Sequence, residues 1–198
     1  MAYLLTPWGY EADGTVPPLI SAETFSDLTG GKWDTDPRVS AAIDAASAAV
    51  RSFCGWHVAP NVACRAVVDG DGMRSVWLPT TVLTSVESVQ LSASELSGIQ
   101  WSRIGQVMPD QRAPIGLQTV TVDYHAGLSE VPADVAAVVA GVVVRSIALS
   151  YGVASESAGG VSVSYSQGAT YGGAGNATLT DADKAALMPY KVVRSHAA

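Results

Sequence analysis

The spacing of apolar residues predicts three helices. Asp36 and Pro37 suit an N-cap and a first helical position. Apolar residues then recur every three or four positions, as they do on one face of a helix: Val39, Ile43, Ala46, Val50 and Phe53. A second apolar block further along the chain is too long for an average strand. The pattern predicts helices at about 36–54 and 132–151, and a short C-terminal helix at about 181–188.

Between the first two of these helices, the apolar period changes to two. Together with frequent β-branched and turn residues, this period predicts antiparallel sheet over residues 61–124. The run Asp69-Gly70-Asp71-Gly72 tolerates positive φ and predicts a hairpin that joins Val62–Val68 to Met73–Leu78. Ile104-Gly105 predicts a second tight hairpin. The expected fold class is therefore α+β, with helices packed on an antiparallel sheet.

These elements divide the chain into three parts. Residues 1–35 are expected to form an N-terminal arm with a short helix after Ser21, and the prolines before that helix favour an extended segment without a regular element. Residues 36–151 are expected to form a helix-sheet-helix core. Residues 152–198 are expected to form a flexible Gly- and Ser-rich arm and a C-terminal tail.

Composition narrows the function classes. The chain has 198 residues, with 11 Lys and Arg against 18 Asp and Glu, and a net charge of -7. Such an acidic protein gains little from counterion release, which argues against a phosphate-gripping DNA-binding protein. The N-terminus lacks the basic and apolar regions of a secretory signal, and the longest apolar block is too short for a membrane span. The sequence predicts a cytoplasmic chain without a membrane segment.

Residues that suggest a metal site or catalysis have simpler interpretations. The Asp69–Gly72 run would begin a calcium loop, but Thr80 stands where the bidentate Glu should be, which favours a turn. Cys54 and His57 are three residues apart, and two ligands do not make a zinc site. We expect Trp56 and His57 to form a packed corner and the cysteines to be buried thiols. No G-x-S-x-G or P-loop pattern is present, so the sequence predicts no cofactor, no metal and no catalytic residue.

Three segments in a fixed order carry a family resemblance. The first runs from Asp36 to Pro60, the second is Val120–Gly127 followed by Pro132–Val135, and the third runs from Leu179 to Lys191. Together they resemble the head-to-tail adaptors, or head-tail connector proteins, of tailed bacteriophages. The sheet-rich middle differs from the small, nearly all-helical adaptors and resembles the larger adaptors of phages that infect high-GC hosts.

This resemblance implies a structural virion protein rather than an enzyme. An adaptor of this kind forms a ring of identical subunits, a dodecamer, below the portal protein and above the next neck protein, the stopper. Genomic DNA passes through the centre of such a ring without specific binding. The implied location is the neck of the virion, after assembly in the host cytoplasm.

A ring of this kind predicts three sets of contact residues. Each subunit presents different surfaces to its two neighbours. The subunit-interface candidates are Val39, Ile43, Val50, Val138, Val142 and Arg145. The portal-docking candidates are Tyr190, Lys191 and Arg194. The candidates for an acidic lumen, which would repel DNA phosphates, are Asp34, Asp36 and Asp44.

Other functions remain open at the level of the sequence. A different neck component, such as a stopper or tail-completion protein, shares the same ring logic. A small hydrolase or metal-dependent enzyme is suggested only by His57, His125 and several acids. A carbohydrate-binding module is suggested by the tryptophans, but these are scattered and are expected in the core or at corners: Trp8, Trp33, Trp56, Trp77 and Trp101.

Overall fold

The structure is a computed structural model, and it describes residues 3–92, 94–150, 155–158, 161–164 and 177–192. The chain divides into two compact units. Unit 1 consists of Met1–Pro17, Arg51–Val131 and Met188–Ala198. Unit 2 consists of Pro18–Val50 and Pro132–Leu187. The α+β fold class expected from the sequence is confirmed.

Unit 1 is built on a six-stranded antiparallel sheet. Its strands in chain order are β1 (Tyr3–Leu5), β2 (Glu11–Asp13), β3 (Val62–Gly70), β5 (Leu83–Leu91), β6 (Ser94–Glu95) and β9 (Gly116–Ala126). They lie in the spatial order β1-β2-β3-β9-β5-β6. The long strand β9 is central, and its alternate residues Val120, Val122, Tyr124 and Ala126 are buried. One face of β9 therefore belongs to the core of unit 1.

The first residues of the chain correct one expectation. They were predicted to lack a regular element, but β1 and β2 form a hairpin, with Leu4 opposite Ala12. Strand β2 continues the main sheet, because Ala12 also pairs with Cys64 of β3. Ala12 and Tyr10 are both buried. Strand pairing and the burial of these two residues hold a segment whose proline content argued for an extended arm.

The hairpin predicted at Asp69–Gly72 is wrong. Strand β3 pairs with β2 and β9, not with the segment that follows the Asp-Gly run. Gly70 lies opposite Gly116, and a Cβ at Gly70 would stand 1.8 Å from the carbonyl oxygen of Pro114. The Asp69 carboxylate accepts a hydrogen bond from the backbone N–H of Gln118 at 2.8 Å. The run therefore forms a turn that does not join paired strands. Its Gly70 and Asp69 contact residues that are far away in the sequence.

A second, three-stranded sheet also lies in unit 1. It contains β4 (Val76–Trp77), β7 (Gln100–Trp101) and β8 (Gln106–Met108), in the spatial order β4-β8-β7. The predicted hairpin at Ile104-Gly105 is confirmed, since it joins β7 to β8. Gly105 has a φ of 90°, and a Cβ there would lie 2.7 Å from the Thr80 carbonyl oxygen. Glycine is thus required both for the turn and for the close approach.

Unit 2 contains the helices. They are α1 (Ala22–Thr29), α2 (Val39–Cys54), α3 (Ala133–Ser150) and α4 (Asp181–Leu187), and the unit boundary falls inside α2 after Val50. The helices predicted at 36–54 and 132–151 are confirmed with slightly later starts, and the helix predicted at 181–188 is confirmed with the predicted start at Asp181. Unit 2 also holds a two-stranded sheet of β10 (Ser155–Ala158) and β11 (Val161–Ser164).

The helix ends follow the side chains that the sequence supplies. Ser21 caps α1, and Gly30 ends it in the left-handed conformation. Thr180 and Asp183 form a reciprocal capping box, in which each side chain accepts a hydrogen bond from the other's backbone N–H. Asp36 accepts a hydrogen bond from the backbone N–H of Arg38 at 2.9 Å, so it caps the turn that leads into α2.

Helix α3 is apolar on almost all sides, and the sequence left open whether other helices or other subunits cover it. The chain itself buries most of it: Val135, Val138, Val139, Val142, Val143 and Ile147 are each at most 8% exposed. Helices α1 and α4 both contact α3. The apolar content of α3 therefore gives no separate reason to expect a neighbouring subunit at this helix.

Candidate functional site

The C-terminal segment folds back onto unit 1. Helix α4 is followed by a short 3₁₀ helix, Met188–Tyr190. The indole N–H of Trp56 donates a hydrogen bond to the Tyr190 carbonyl oxygen at 2.7 Å, and the backbone N–H of Val192 donates to the Cys54 carbonyl at 2.9 Å. The Lys191 ammonium lies 4.8 Å from the centroid of the Phe53 ring. The predicted docking tail thus begins as an ordered extension of unit 1.

Trp56 and His57, which hold this corner, are fully buried. The Tyr10 hydroxyl lies 2.6 Å from His57 Nδ1 and accepts the His57 backbone N–H at 3.1 Å. His57 Nε2 lies 3.0 Å from the Ala126 carbonyl oxygen. These partners are consistent with a neutral imidazole that donates from Nε2 and accepts at Nδ1. The packed corner expected from the sequence is confirmed.

Arg51 fastens the same corner from the end of α2. It is only 5% exposed, and its guanidinium donates hydrogen bonds to three backbone carbonyls. The acceptors are Pro17 at 2.6 Å, Ala59 at 2.8 Å and His57 at 2.9 Å. Burial lowers the pKa of Arg51 to about 10, which leaves it charged at neutral pH. The planar guanidinium suits this task because it offers several donors in a fixed geometry.

The burial of His57 makes stability depend on pH. Burial lowers the pKa of His57 from its ordinary value of 6.5 to about 4. The unfolded chain therefore binds a proton between these values that the folded chain does not. The contribution of His57 to the free energy of unfolding is complete above pH 6.5 and is lost as the pH falls towards 4. We expect this group to lower the free energy of unfolding by about 3 kcal/mol across that pH range.

Urea denaturation at pH 7, 6, 5 and 4 measures this effect. A His57→Gln variant is the control, because the amide keeps a donor for the Ala126 carbonyl but does not titrate. The wild-type protein should lose more stability than the variant across this range. Equal losses in the two proteins would show that His57 is not responsible.

A groove opens beside the C-terminal segment. It has a volume of about 570 Å³, and the described residues that line it all belong to unit 1. Its lining residues are Trp8, Gly9, Val68, Trp77, Leu78, Pro79, Thr80, Thr81, Ile104, Lys191 and Val192. Trp77 and Ile104 are large apolar side chains that are 58% and 60% exposed. The groove therefore combines strand β4, the β7–β8 turn and the start of the tail.

The two cysteines are buried and not joined to each other. Burial raises the pKa of Cys54 to about 11 and that of Cys64 to about 12, so both are protonated thiols at neutral pH. Within the described residues, no group of three or more His, Cys, Asp and Glu side chains is arranged to hold a metal ion. In the same part of the chain, no helix has the length and apolar character needed to cross a membrane.

The structure places the subunit-interface candidates mainly inside the chain. Val39, Ile43, Val50, Val138 and Val142 are all buried, at 8% exposure or less. Arg145 keeps 38% of its side chain exposed and forms a salt bridge with Asp183. The five valine and isoleucine side chains are thus covered without any neighbour, whereas the Arg145 guanidinium lies partly at the surface.

The other candidates lie in different surroundings. Asp34 and Asp44 are exposed, whereas the Asp36 side chain is 5% exposed and paired with Arg38 at 2.6 Å. Lys191 is exposed and Tyr190 is half-buried. Arg194 lies outside the described residues. The structure brings Lys191 to the rim of the groove.

The groove itself was missed in the sequence. Trp77 and Trp101 were expected in the core or at corners, but they are 58% and 43% exposed. A signal was present, because Trp77 alternates with Val76 and Leu78, and both of these neighbours are buried. Period-two alternation places Trp77 on the opposite face of the strand from Val76 and Leu78.

Comparison with known protein families decides the class of this molecule. Residues 18–172 match the family described as head completion proteins. The match spans more than three quarters of the 198 residues. The chain belongs to the head completion protein family. The resemblance to phage head-to-tail connector proteins, drawn from three short segments, is thereby confirmed.

As a head completion protein, the chain is a structural component of the bacteriophage virion with a role in the neck. It acts in virion assembly, in association with other head and neck proteins. A search of the curated proteins finds no match to this sequence. The matched region ends before α4, so the C-terminal segment that lines the groove lies beyond the family match.

Proposed function

We propose that this head completion protein is the head-to-tail adaptor. It forms a dodecameric ring below the portal protein, binds the stopper on its other side and lets DNA pass through its centre. It is not an enzyme, and it assembles in the host cytoplasm. The observation that carries this proposal is the C-terminal segment, which is held on unit 1 by Trp56 and presents Lys191 beside an apolar groove.

The acidic charge fits a passage for DNA. With a net charge of -7, the subunits repel phosphates, so DNA can slide through a ring without being held. Asp34 and Asp44 are exposed and serve as our candidates for the lumen. Asp36 is a weaker candidate, because its carboxylate is already neutralised by Arg38.

The subunit contacts require a revised assignment. The five apolar candidates on α2 and α3 are at most 8% exposed, so each offers little surface to a neighbour. We therefore propose that contacts at these helices also use side chains left at the surface, such as Ser40 and Ala41 on α2, together with Arg145 on α3.

Co-expression with the portal protein of the same phage tests the adaptor assignment. The purified complex is weighed by native mass spectrometry, and negative-stain images check its shape. A stable complex with one copy of this chain per portal subunit is the expected result. A folded chain that fails to bind portal, and binds a later neck protein instead, would assign it as a stopper or tail-completion protein.

The role of the C-terminal segment needs a substitution that preserves the fold. Deleting the whole segment would remove buried Leu187 and the backbone acceptor of Trp56. Tyr190→Ala keeps the backbone carbonyl and removes only the phenol. We expect this variant to bind portal about ten-fold more weakly, because buried Tyr side chains contribute strongly at interfaces. Unchanged affinity at unchanged melting temperature would exclude the Tyr190 side chain from docking.

A further inference from the structure

The groove in unit 1 exposes large apolar side chains that are not part of the core. Trp77 and Ile104 line it, and more than half of each side chain is exposed. Met108 is 43% exposed and shares a face of the small sheet with Trp77, because Gln106 pairs with Trp77 and precedes Met108 by two residues. Contiguous exposed apolar surface is typical of a protein interaction site.

Among the described residues that line the groove, Lys191 is the one with a charge, and that charge is positive in a chain whose net charge is -7. Its ammonium lies 4.8 Å from the Phe53 ring centroid, and among the described residues it has no salt bridge. An ammonium above an aromatic ring keeps its charge and can still receive a carboxylate.

The backbone that carries this cation is held in place by the fold. The neighbouring Val192 N–H donates to the Cys54 carbonyl, and Trp56 holds the Tyr190 carbonyl. The backbone on both sides of Lys191 is thereby anchored. A preorganised charge costs less entropy on binding than a charge on a free tail.

We propose that this groove binds an extended segment of a partner protein that carries a large apolar side chain close to a carboxylate. The apolar side chain packs between Trp77 and Ile104, and the carboxylate pairs with Lys191. The volume of about 570 Å³ lies within the range of pockets that enclose a ligand of that size. The assignment of this segment to the portal protein rests on the proposed function.

Variants of the groove test the proposal with the whole chain and purified portal protein. Trp77→Ala and Ile104→Ala are each expected to weaken portal binding at least ten-fold, and Lys191→Glu by a similar factor. Lys191→Arg keeps the charge and should retain affinity within about three-fold. Binding by the wild type should also weaken more steeply with salt than binding by Lys191→Gln.

Matched controls show whether the loss of binding is specific to the groove or follows from losing any exposed apolar side chain or positive charge. Trp101→Ala removes an exposed tryptophan outside the groove lining, and Ile115→Ala removes an 85% exposed isoleucine. Lys32→Glu makes the same change in net charge as Lys191→Glu at a residue outside the groove. These three variants should bind portal like the wild type. Thermal melting of every variant checks that the fold is retained.

A second measurement does not depend on the portal protein. Fluorescently labelled extended peptides with one Leu or Phe followed within three residues by Asp are titrated into the wild-type chain, and matched peptides carry Lys in place of Asp. The Asp peptides should bind at least ten-fold more tightly, and Trp77→Ala and Lys191→Glu should abolish that preference.

The outcomes distinguish the two proposals. Peptide selectivity without portal binding would support the groove and overturn the assignment of the partner. Portal binding that ignores all groove variants would overturn the groove and leave the adaptor function intact. Equal binding of Asp and Lys peptides, or self-association of the chain that Trp77→Ala removes, would overturn the proposed partner chemistry.

Discussion

Replacing Arg51 by alanine is expected to lower the free energy of unfolding by about 4 kcal/mol. The substitution leaves the carbonyls of His57 and Ala59 without their donor in a buried place, and it also removes the partly buried hydrogen bond to the Pro17 carbonyl. Buried carbonyls that lose a charged donor are costly because water cannot replace it. The same change removes one of the contacts that tie the N-terminal segment of unit 1 to the Trp56–His57 corner.

Urea denaturation followed by circular dichroism measures this loss. Arg51→Lys should recover only part of it, since an ammonium cannot reach three carbonyls with the geometry of a guanidinium. Arg112→Ala is the matched control: Arg112 is exposed, so we expect a loss below about 1 kcal/mol. An Arg51→Ala protein as stable as Arg112→Ala would refute the assigned role.

Replacing Trp56 by alanine is expected to cost about 4 kcal/mol and to release the C-terminal segment. Trp56 is among the largest fully buried side chains, and its indole N–H holds the Tyr190 carbonyl. Without the indole, the cavity and the lost hydrogen bond both lower the free energy of unfolding. Because Lys191 follows Tyr190 directly, the groove should lose its cation as a fixed feature.

Hydrogen exchange at the Val192 amide reports the release, since this amide donates to the Cys54 carbonyl. We expect faster exchange in Trp56→Ala than in the wild type. Trp56→Phe keeps most of the apolar volume and loses the N–H, so it should cost about 1–2 kcal/mol and raise exchange to a smaller extent. Trp101→Ala, at an exposed position, should change neither quantity. Protection of Val192 that survives Trp56→Ala would show that other contacts hold the segment.

Substitution of Trp56 also tests how the C-terminal segment takes part in docking. If the tail docks on the portal protein as an ordered part of unit 1, Trp56→Phe should weaken docking more than its small loss of stability suggests. If the tail instead acts as a flexible arm, docking should be insensitive to Trp56. The two outcomes therefore depend on the hydrogen bond from the Trp56 indole N–H to the Tyr190 carbonyl.

The helices were predictable from the sequence because their signals are local. Ser21 and Gly30 mark the ends of α1, and the capping box at Thr180 marks the start of α4. Each signal acts within one helical turn, so no distant contact is needed to interpret it. The β7–β8 hairpin at Gly105 was predictable for the same reason.

Strand pairing was less predictable, since a turn signal does not select a partner strand. The Asp69–Gly72 run had suitable turn chemistry, yet β3 pairs with β9, about fifty residues away. The N-terminal hairpin was missed because its stability comes from pairing with β3, rather than from its own sequence pattern. The main-sheet order follows from which apolar faces meet in the core, which is a property of the whole unit.

The sequence by itself determined the α+β class, the helices with their caps, the acidic character and the family to which three short segments pointed. Only the tertiary structure decided which side chains lie at the surface, where a partner can contact them. It buried Val39, Ile43 and Val142, which the apolar helix faces and the ring implied by the resemblance offered as contact residues, and exposed Trp77 beside Lys191. The physical reason is that periodicity reports which face of an element is apolar. Whether that face is covered by the same chain or left to a partner depends on packing between residues far apart in sequence.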